Sequence, residues 1–261
     1  MKNNFMTFNL KYDFTSGNEN EWGERANRIC KVIEDNNPLC IGIQEGLIHM
    51  LGDLEEKLTE YSWIGEGREG DNLGEFNSIF YKKDILNLKS SGQFWLSETP
   101  AVKGSKSFNS ACERICTWGE FRDKENGTEF MIYNTHLDHE SDFARREGIK
   151  IILDFVHKKF EENDKEFIIM GDFNCHLDDE VFNIIKVYNG WDFIIKNIYN
   201  EVSHNIEGTF HDFKGGYDGG IIDYILISNQ IDCYNVTIDD RIINNGYPSD
   251  HYPVIAELSI N

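Results

Sequence analysis

Apolar runs in this chain keep stopping at side chains that bind metal ions and move protons. Met6-Thr7-Phe8 stops at Asn9, and Leu39-Cys40-Ile41-Gly42-Ile43 stops at Gln44 and Glu45. Met131-Ile132-Tyr133-Asn134-Thr135 leads to His136, and Phe167-Ile168-Ile169-Met170-Gly171 leads to Asp172, with Asn174 two positions on. Asp223 stands at the head of Tyr224-Ile225-Leu226-Ile227, and Ser249-Asp250-His251 comes just before Pro253 and Val254. Carboxylates supply hard oxygen ligands and bases, imidazoles supply acids and cations, and amides orient water or phosphate oxygens. Each residue alone also has an ordinary structural use. Asn9 and Asn174 can turn or cap the backbone, Asp172 after a glycine suits an Asx turn, and Glu45 can be a solvated strand-end acid. His136 can be a hydrogen-bonded sheet histidine and Asp250-His251 a turn. Their recurrence at strand ends, where a rigid scaffold presents reactive groups, marks the set as a candidate site.

The elements that must position them follow from periodicity. Strands are expected at Phe5 to Asn9, Leu39 to Gln44, Asn77 to Tyr81, Gln93 to Leu96, Ile115 to Phe121, Glu129 to Thr135, Phe167 to Met170, Ile221 to Ile227 and Val254 to Leu258. Asn126-Gly127 joins two of them as a hairpin turn. Trp22, Ala26, Ile29, Val32 and Ile33 recur at helical spacing, as do Leu47, Leu51, Leu54 and Leu58. Ser141 to Phe160 reads as a helix with a serine N-cap, acidic Asp142 at its start and Lys158 and Lys159 at its end. Many strands with a few flanking helices imply an α/β (α+β) class, sheets covered by helices.

Taken in order, Asn9-Leu10-Lys11-Tyr12-Asp13, Ile41-Gly42-Ile43-Gln44-Glu45, Asn134-Thr135-His136-Leu137-Asp138-His139, Gly171-Asp172-Phe173-Asn174, Ile222-Asp223-Tyr224-Ile225-Leu226 and Ser249-Asp250-His251-Tyr252-Pro253-Val254 resemble the endonuclease/exonuclease/phosphatase family. The resemblance spans nearly the whole chain. Residues 94–100 and 111–118 look like a bacterial branch of that family near the nocturnin and deadenylase group. It implies one catalytic domain over 1–261 with a four-layered α/β sandwich, two mixed β-sheets packed face to face and flanked by helices. The reaction implied is metal-dependent attack of water on a phosphoester. The resemblance makes Glu45 the principal Mg²⁺ carboxylate with Asn9 beside it, and has Asp250 help order that site. It has Asp172 align or deprotonate the attacking water and Asn174 orient it. His251 contacts the scissile phosphate with Asp223 accepting its other ring N–H, and His136 is a second phosphate-facing histidine. A sparse set of oxygen ligands suits Mg²⁺, with Mn²⁺ as the alternative, better than zinc.

Substrate choice lies outside these motifs. Arg114 offers a planar fork for phosphate, and Asp138 and His139, next to His136, extend the substrate site. Glycine-rich residues 65–70 and 215–220 match neither a dinucleotide fingerprint nor a P-loop, and are read as loops that can line a cleft. Trp95, Trp118, Phe210 and Tyr217 could stack on a base, though aromatics near strands are more often core. The chain has 261 residues, 25 Lys and Arg against 46 Asp and Glu, and a formal charge of −21. That field repels long polyanions, although local cations and metals can reverse it within one cleft. The expected substrate is therefore a small or short phosphoester, such as a nucleotide, an oligonucleotide or a phosphorylated metabolite. A nuclease acting on DNA or RNA is the nearest competitor, and a noncatalytic binding protein retaining the fold is a third reading. Six cysteines in no dense framework read as reduced thiols, and Cys112 and Cys116 lack the second pair that a zinc site needs. Residues 1–5 lead into a strand-like run without a signal peptide's apolar core, and no run is long enough to span a membrane. A cytoplasmic protein with no membrane association and no obligate protein partner is expected.

Overall fold

Period-two alternation sorts the side chains of the central strands between two apolar layers. The computed structural model describes residues 2–14, 17, 20–190, 193–203 and 206–260. In chain order its elements are β1 (Lys2–Asn9), α1 (Trp22–Asn36), β2 (Cys40–Gln44), α2 (Ile48–Lys57), β3 (Tyr61–Ile64), β4 (Ile79–Lys82), β5 (Leu86–Trp95), β6 (Ile115–Asp123) and β7 (Glu129–His136). They continue with α3 (Asp142–Asn163), β8 (Glu166–Asp172), α4 (Glu180–Tyr188), β9 (Ile195–Asn197), β10 (Asp223–Ser228), β11 (Asp232–Ile238) and β12 (Val254–Ser259).

Among the described residues the strands form two six-stranded sheets, ordered β11-β12-β1-β2-β4-β3 and β5-β6-β7-β8-β10-β9. Each sheet has a parallel pair inside it, β1 with β2 and β7 with β8, and its other pairings are antiparallel. Parallel neighbours need a crossover, and α1 and α3 provide it. Phe5, Cys40, Ile132, Ile168, Met170, Ile225 and Val254 share the apolar layer between the sheets. Met6, Phe8, Ile41 and Ile43 face the α1 and α2 side with Ile29, Val32, Leu51 and Leu54. Tyr133, Phe167, Ile169 and Leu226 face the α3 and α4 side with Ile149, Ile152 and Val156. These layers make the helix, sheet, sheet, helix sandwich. No helix among the described residues is long and apolar enough to cross a membrane.

The expected central strands and three helices are present, with corrected ends. Helix α3 runs past Phe160 to Asn163, so Lys158 and Lys159 are not its last turn. Ser141 caps it by accepting from the Ala144 N–H, and it stops where Asp164 turns left-handed at φ 51°. The periodicity gave no sign of β3, β9, β11, α4 or the first half of β5. All four of those strands lie at sheet edges. Strand β11, for example, leaves most of its residues exposed or half-buried, so it lacks a continuous apolar run. Helix α4 is rich in valine and isoleucine and reads locally like a strand, but Asp179 caps it by accepting from Val181 N–H at 3.0 Å.

Gly42 lies on the inter-sheet face of β2, where a Cβ would sit 2.7 Å from Met170 Sδ and 2.8 Å from Asn134 Oδ1. Gly52, inside α2, has open space around it. Gly42→Ala is therefore expected to cost about 1–3 kcal/mol in urea unfolding. Gly52→Ala is expected to gain about 0.5–1 kcal/mol, because alanine is the better helix former. Matching signs for the two variants would contradict the packing described.

Candidate active site

The alternation that fills the inter-sheet layer also delivers the polar groups at one end of it. On β8, Ile168 and Met170 face inward, and the next inward position is Asp172. On β7, Phe130 and Ile132 lead through Asn134 to His136, and on β1, Phe5 leads through Thr7 to Asn9. Strand β10 runs the other way, so its first residue, Asp223, pairs with Asp172, which pairs with His136 across the parallel ladder. Between the apolar layer and this end lies a buried polar rung. Gln44 Nε2 donates to Thr7 Oγ1 (3.1 Å) and Asn134 Oδ1 (2.6 Å), and Asn134 Nδ2 donates to the carbonyls of Ile43 and Ser78 (both 2.8 Å).

At the end itself, Asn9 Nδ2 donates to both Glu45 Oε1 (2.9 Å) and Asp172 Oδ2 (3.0 Å). Glu45 follows β2 in a left-handed conformation, φ 59°, and its second oxygen accepts from Tyr12 N–H at 3.1 Å. Asn174, also left-handed at φ 49°, donates its backbone N–H to Asp172 Oδ1 (2.8 Å) and its Nδ2 to the Leu137 carbonyl (3.0 Å). Burial and then the Asp223 charge push Asp172 up to about 7, against the opposing effects of His251 and the bonds from Asn9 and Asn174. Asp250 faces the same cleft, paired with Lys11 Nζ at 3.2 Å. Burial opposes the charge on Lys11, and Asp250 and Glu45 outweigh it, so its pKa is raised.

The two histidines are buried and differ in charge. His251 Nδ1 donates to Asp223 Oδ2 at 2.9 Å while its Nε2 lies 3.8 Å from Asp172 Oδ2. Burial disfavours its cation, but Asp223, Asp172 and Asp250 together push its pKa up to about 10. His136 Nε2 lies 3.5 Å from the same Asp172 oxygen. Burial, then Arg114, His251 and Arg68, hold its pKa well below the ordinary value, so it is neutral. Candidate catalytic and metal residues from six segments of the chain thus converge at one open cleft of about 650 Å³, with Asn9 and Asp223 buried behind its lining.

Residues 6–251 match the model of the Endonuclease/Exonuclease/phosphatase family. The chain belongs to the endonuclease/exonuclease/phosphatase family. A family member from Bacteroides vulgatus is 32% identical, with full coverage of both chains and a TM-score of 0.92. A mannosyl-6-phosphatase of Bacteroides thetaiotaomicron is 30% identical over 98% of this chain and 99% of its own, with a TM-score of 0.90. The catalytic domain of human Nocturnin shares the fold at 19% identity and a TM-score of 0.78, covering 99% of this chain and 93% of that one.

Within this endonuclease/exonuclease/phosphatase fold, Arg114 and His139 also line the cleft, and Arg114 Nη2 donates to His139 Nδ1 at 2.8 Å. Asp138 is buried behind the cleft lining, its carboxylate within 4.8 Å of the ligand atoms of Cys112 and His139, with Oδ1 accepting from the Glu140 and Ser141 N–H groups and Oδ2 from Ser110 Oγ, Ala111 N–H and Arg114 Nε. Both oxygens are used in holding loops, so it positions Arg114 and the start of α3. Cys116 is buried under α3 while Cys112 lines the cleft, so the two do not converge. Of the four aromatics, Phe210 lines the cleft, its ring 5.0 Å from that of His251. Trp95 is core, Trp118 packs on Phe155, and Tyr217 donates to Asp240.

Several residues of the endonuclease/exonuclease/phosphatase site escaped the motif reading. Lys11 lay inside the first motif. Arg68 and Glu75 come from the glycine-rich excursion after β3 and pair in the cleft wall. Arg25 is fully buried and donates to the carbonyls of Leu10, Lys11 (2.8 Å), Tyr12 (3.2 Å), Asn20 (2.7 Å) and Pro248 (3.3 Å). It thereby ties the segment carrying Lys11 to the one preceding Asp250. Its sequence signal was a charged residue on the buried face of α1, three positions after Trp22 and four before Ile29.

The carboxylate oxygens of Glu45, Asp172 and Asp250 suit a hard divalent ion, while Asn9 turns its Nδ2 toward Glu45 and Asp172 and its Oδ1 accepts from the Lys11 N–H at 2.9 Å. The ligand atoms of Asp172, Asp223 and His251 also lie within 4.8 Å of one another, but there Nδ1 of His251 is engaged by Asp223. Because the folded pKa of His251, about 10, exceeds its ordinary 6.5, its stabilisation is complete below about 6.5 and lost as pH rises through about 10. The gap in urea midpoint between the wild type and Asp223→Asn is expected to be widest near pH 6 and to close toward pH 10. Imidazole ¹⁵N spectra should show His251 doubly protonated at about pH 8, and a neutral ring there would overturn the assignment.

Proposed function

We propose that this protein is a Mg²⁺- or Mn²⁺-dependent phosphoesterase that hydrolyses small phosphate esters by in-line attack of water. The observation that carries the reading is His251 set between Asp223 and Asp172, a cation fixed beside a buried base at the end of the inter-sheet layer. When bound by Glu45 with Asn9 beside it, the divalent ion would neutralise phosphate charge and act as a Lewis acid on one of its oxygens. Asp172, with a pKa near neutrality, takes the proton of the attacking water. Asn174 has its Nδ2 committed to the Leu137 carbonyl, which leaves its side-chain oxygen to accept from that water. His251, its Nδ1–H held by Asp223, directs Nε2–H and positive charge at the phosphate oxygens, where charge grows in the transition state. Neutral His136 adds a second N–H, and Arg114 a guanidinium. Asp250 holds Lys11 in place beside Glu45.

Small substrates are favoured because each basic side chain lining the cleft has its own acid: Lys11 with Asp250, Arg68 with Glu75, and Arg114 with Asp138. A polyanion is gripped by a track of cations that displaces counterions, and that lining offers none. The similarity to a mannosyl-6-phosphatase over almost the full length of both chains supports a compact substrate. Six cysteines in no dense framework favour a reducing compartment, and the cytoplasm is the proposed location.

With Mg²⁺ or Mn²⁺, release of p-nitrophenol from p-nitrophenyl phosphate or its bis-ester should be abolished by chelator and restored by metal. His251→Gln should lower kcat by about 10²–10³ with little change in KM, since its interaction grows in the transition state. Glu45→Gln should weaken Mn²⁺ binding measured by electron paramagnetic resonance. Full turnover by His251→Gln, or activity indifferent to chelator, would sink the mechanism.

A further inference from the structure

The cleft wall beyond the catalytic end is built by a rigid excursion between β3 and β4. Gly67 approaches Leu73 so closely that a Cβ would lie 1.9 Å from its carbonyl oxygen, and Gly74 is left-handed at φ 74°. Arg68 N–H donates to the Glu75 carbonyl (2.9 Å), Phe76 N–H to the Gly46 carbonyl (2.7 Å) and Trp95 Nε1 to the Arg68 carbonyl (2.6 Å). The excursion is thereby fastened next to Glu45. Its two cleft-lining side chains form one unit, Arg68 Nη1 donating to Glu75 Oε2 at 2.8 Å. Arg68 Nε is buried without a hydrogen-bond partner. Arg68 and Glu75 line the same cleft as His136, Asp172 and His251.

We propose that Arg68 and Glu75 form a subsite for the hydroxyl groups of the leaving alcohol, and that the substrate is the phosphate monoester of a sugar or similar polyol. This rests on the phosphoesterase reading and deepens it. A hydroxyl group both donates and accepts, and a guanidinium locked beside a carboxylate presents a fixed donor next to a fixed acceptor. Neighbouring hydroxyls on a ring can bond to both. A second phosphate or a carboxylate on the substrate would instead meet Glu75 and Glu140, which face the same cleft. A site built to hydrogen-bond hydroxyls disfavours an analogue lacking them, because Arg68 Nε and the bonding capacity that the pair has beyond its mutual bond are then unmet.

Mannose 6-phosphate and cyclohexylmethyl phosphate test this directly. Both carry phosphate on a primary carbon beside a six-membered ring, and only the first carries ring hydroxyls. Released inorganic phosphate is measured for the wild type, Glu75→Gln and Arg68→Lys with Mg²⁺. The wild type is expected to favour mannose 6-phosphate by on the order of 10² in kcat/KM. Each variant should lower that ratio at least tenfold, chiefly through KM for the sugar ester. A structural role would lower both activities alike and leave the ratio intact, which overturns the subsite, as does a wild type without preference for the hydroxylated ester. A wild type inert toward both esters but active on phosphodiesters also overturns the subsite while leaving the phosphoesterase reading standing. Inertness toward all of these would remove that reading and the subsite with it.

Discussion

One amide holds two carboxylates together. Asn9 Nδ2 bonds to Glu45 and Asp172 at once, across 36 and 163 residues of sequence. Carboxylates this close repel each other, and burial away from water strengthens the repulsion. Asn9 offers only the partial charge of a neutral donor, so the balance comes from Lys11 on one side and cationic His251 on the other. The same crowding makes the end of the sandwich receptive to a divalent cation, whose arrival would relieve it. The strand parity, the parallel pairs and the polar rung of Gln44, Thr7 and Asn134 all serve to bring these groups to one place and keep them there.

Keeping them there involves unusual backbone. Glu45 and Asn174 are both non-glycine residues in left-handed conformation, and such positions persist only where the surroundings over-determine them. Gly171, just before Asp172, has φ 150° and approaches Thr135 so closely that a Cβ would lie 2.0 Å from its carbonyl oxygen. Arg25 completes the restraint by collecting carbonyls from the chain after β1 and the chain before β12. Burial lowers its pKa to about 10, which still leaves it charged at neutral pH. Its role is positional: it fixes the loops on which Lys11 and Asp250 stand.

What could be read in advance divides along physical lines. Central strands such as β2, β7 and β8 are buried on both faces, so their apolar runs and abrupt polar ends stood out. Edge strands have a solvated side and showed no such contrast. Asn9, Glu45, His136, Asp172, Asn174, Asp223, Asp250 and His251 were legible because each ends or adjoins a run of that kind. The segment holding Arg68 was legible as a loop that can line the cleft, but its pairing with Glu75 was not, since that depends on bridges between Gly67 and Phe76 and between Gly46 and Phe76. For Asp138 the position was legible and the bonding was not. It adjoins the site in sequence, and five donors converge on its carboxylate, which anchors loops.

The two buried histidines show how far environment outweighs residue type. Both place Nε2 within 4 Å of the same oxygen of Asp172, at 3.5 Å for His136 and 3.8 Å for His251. Burial disfavours the cation in each. For His251 the carboxylates of Asp223, Asp172 and Asp250 overcome that effect, whereas His136 meets the positive groups of Arg114, His251 and Arg68 and stays neutral. One imidazole is thus a standing cation and the other a neutral N–H donor. Between them stands a carboxylate driven toward neutrality by burial and by Asp223. That contrast in charge follows from where β8 and β10 end, because Asp223, paired with Asp172 across the sheet, stands against His251 and not His136.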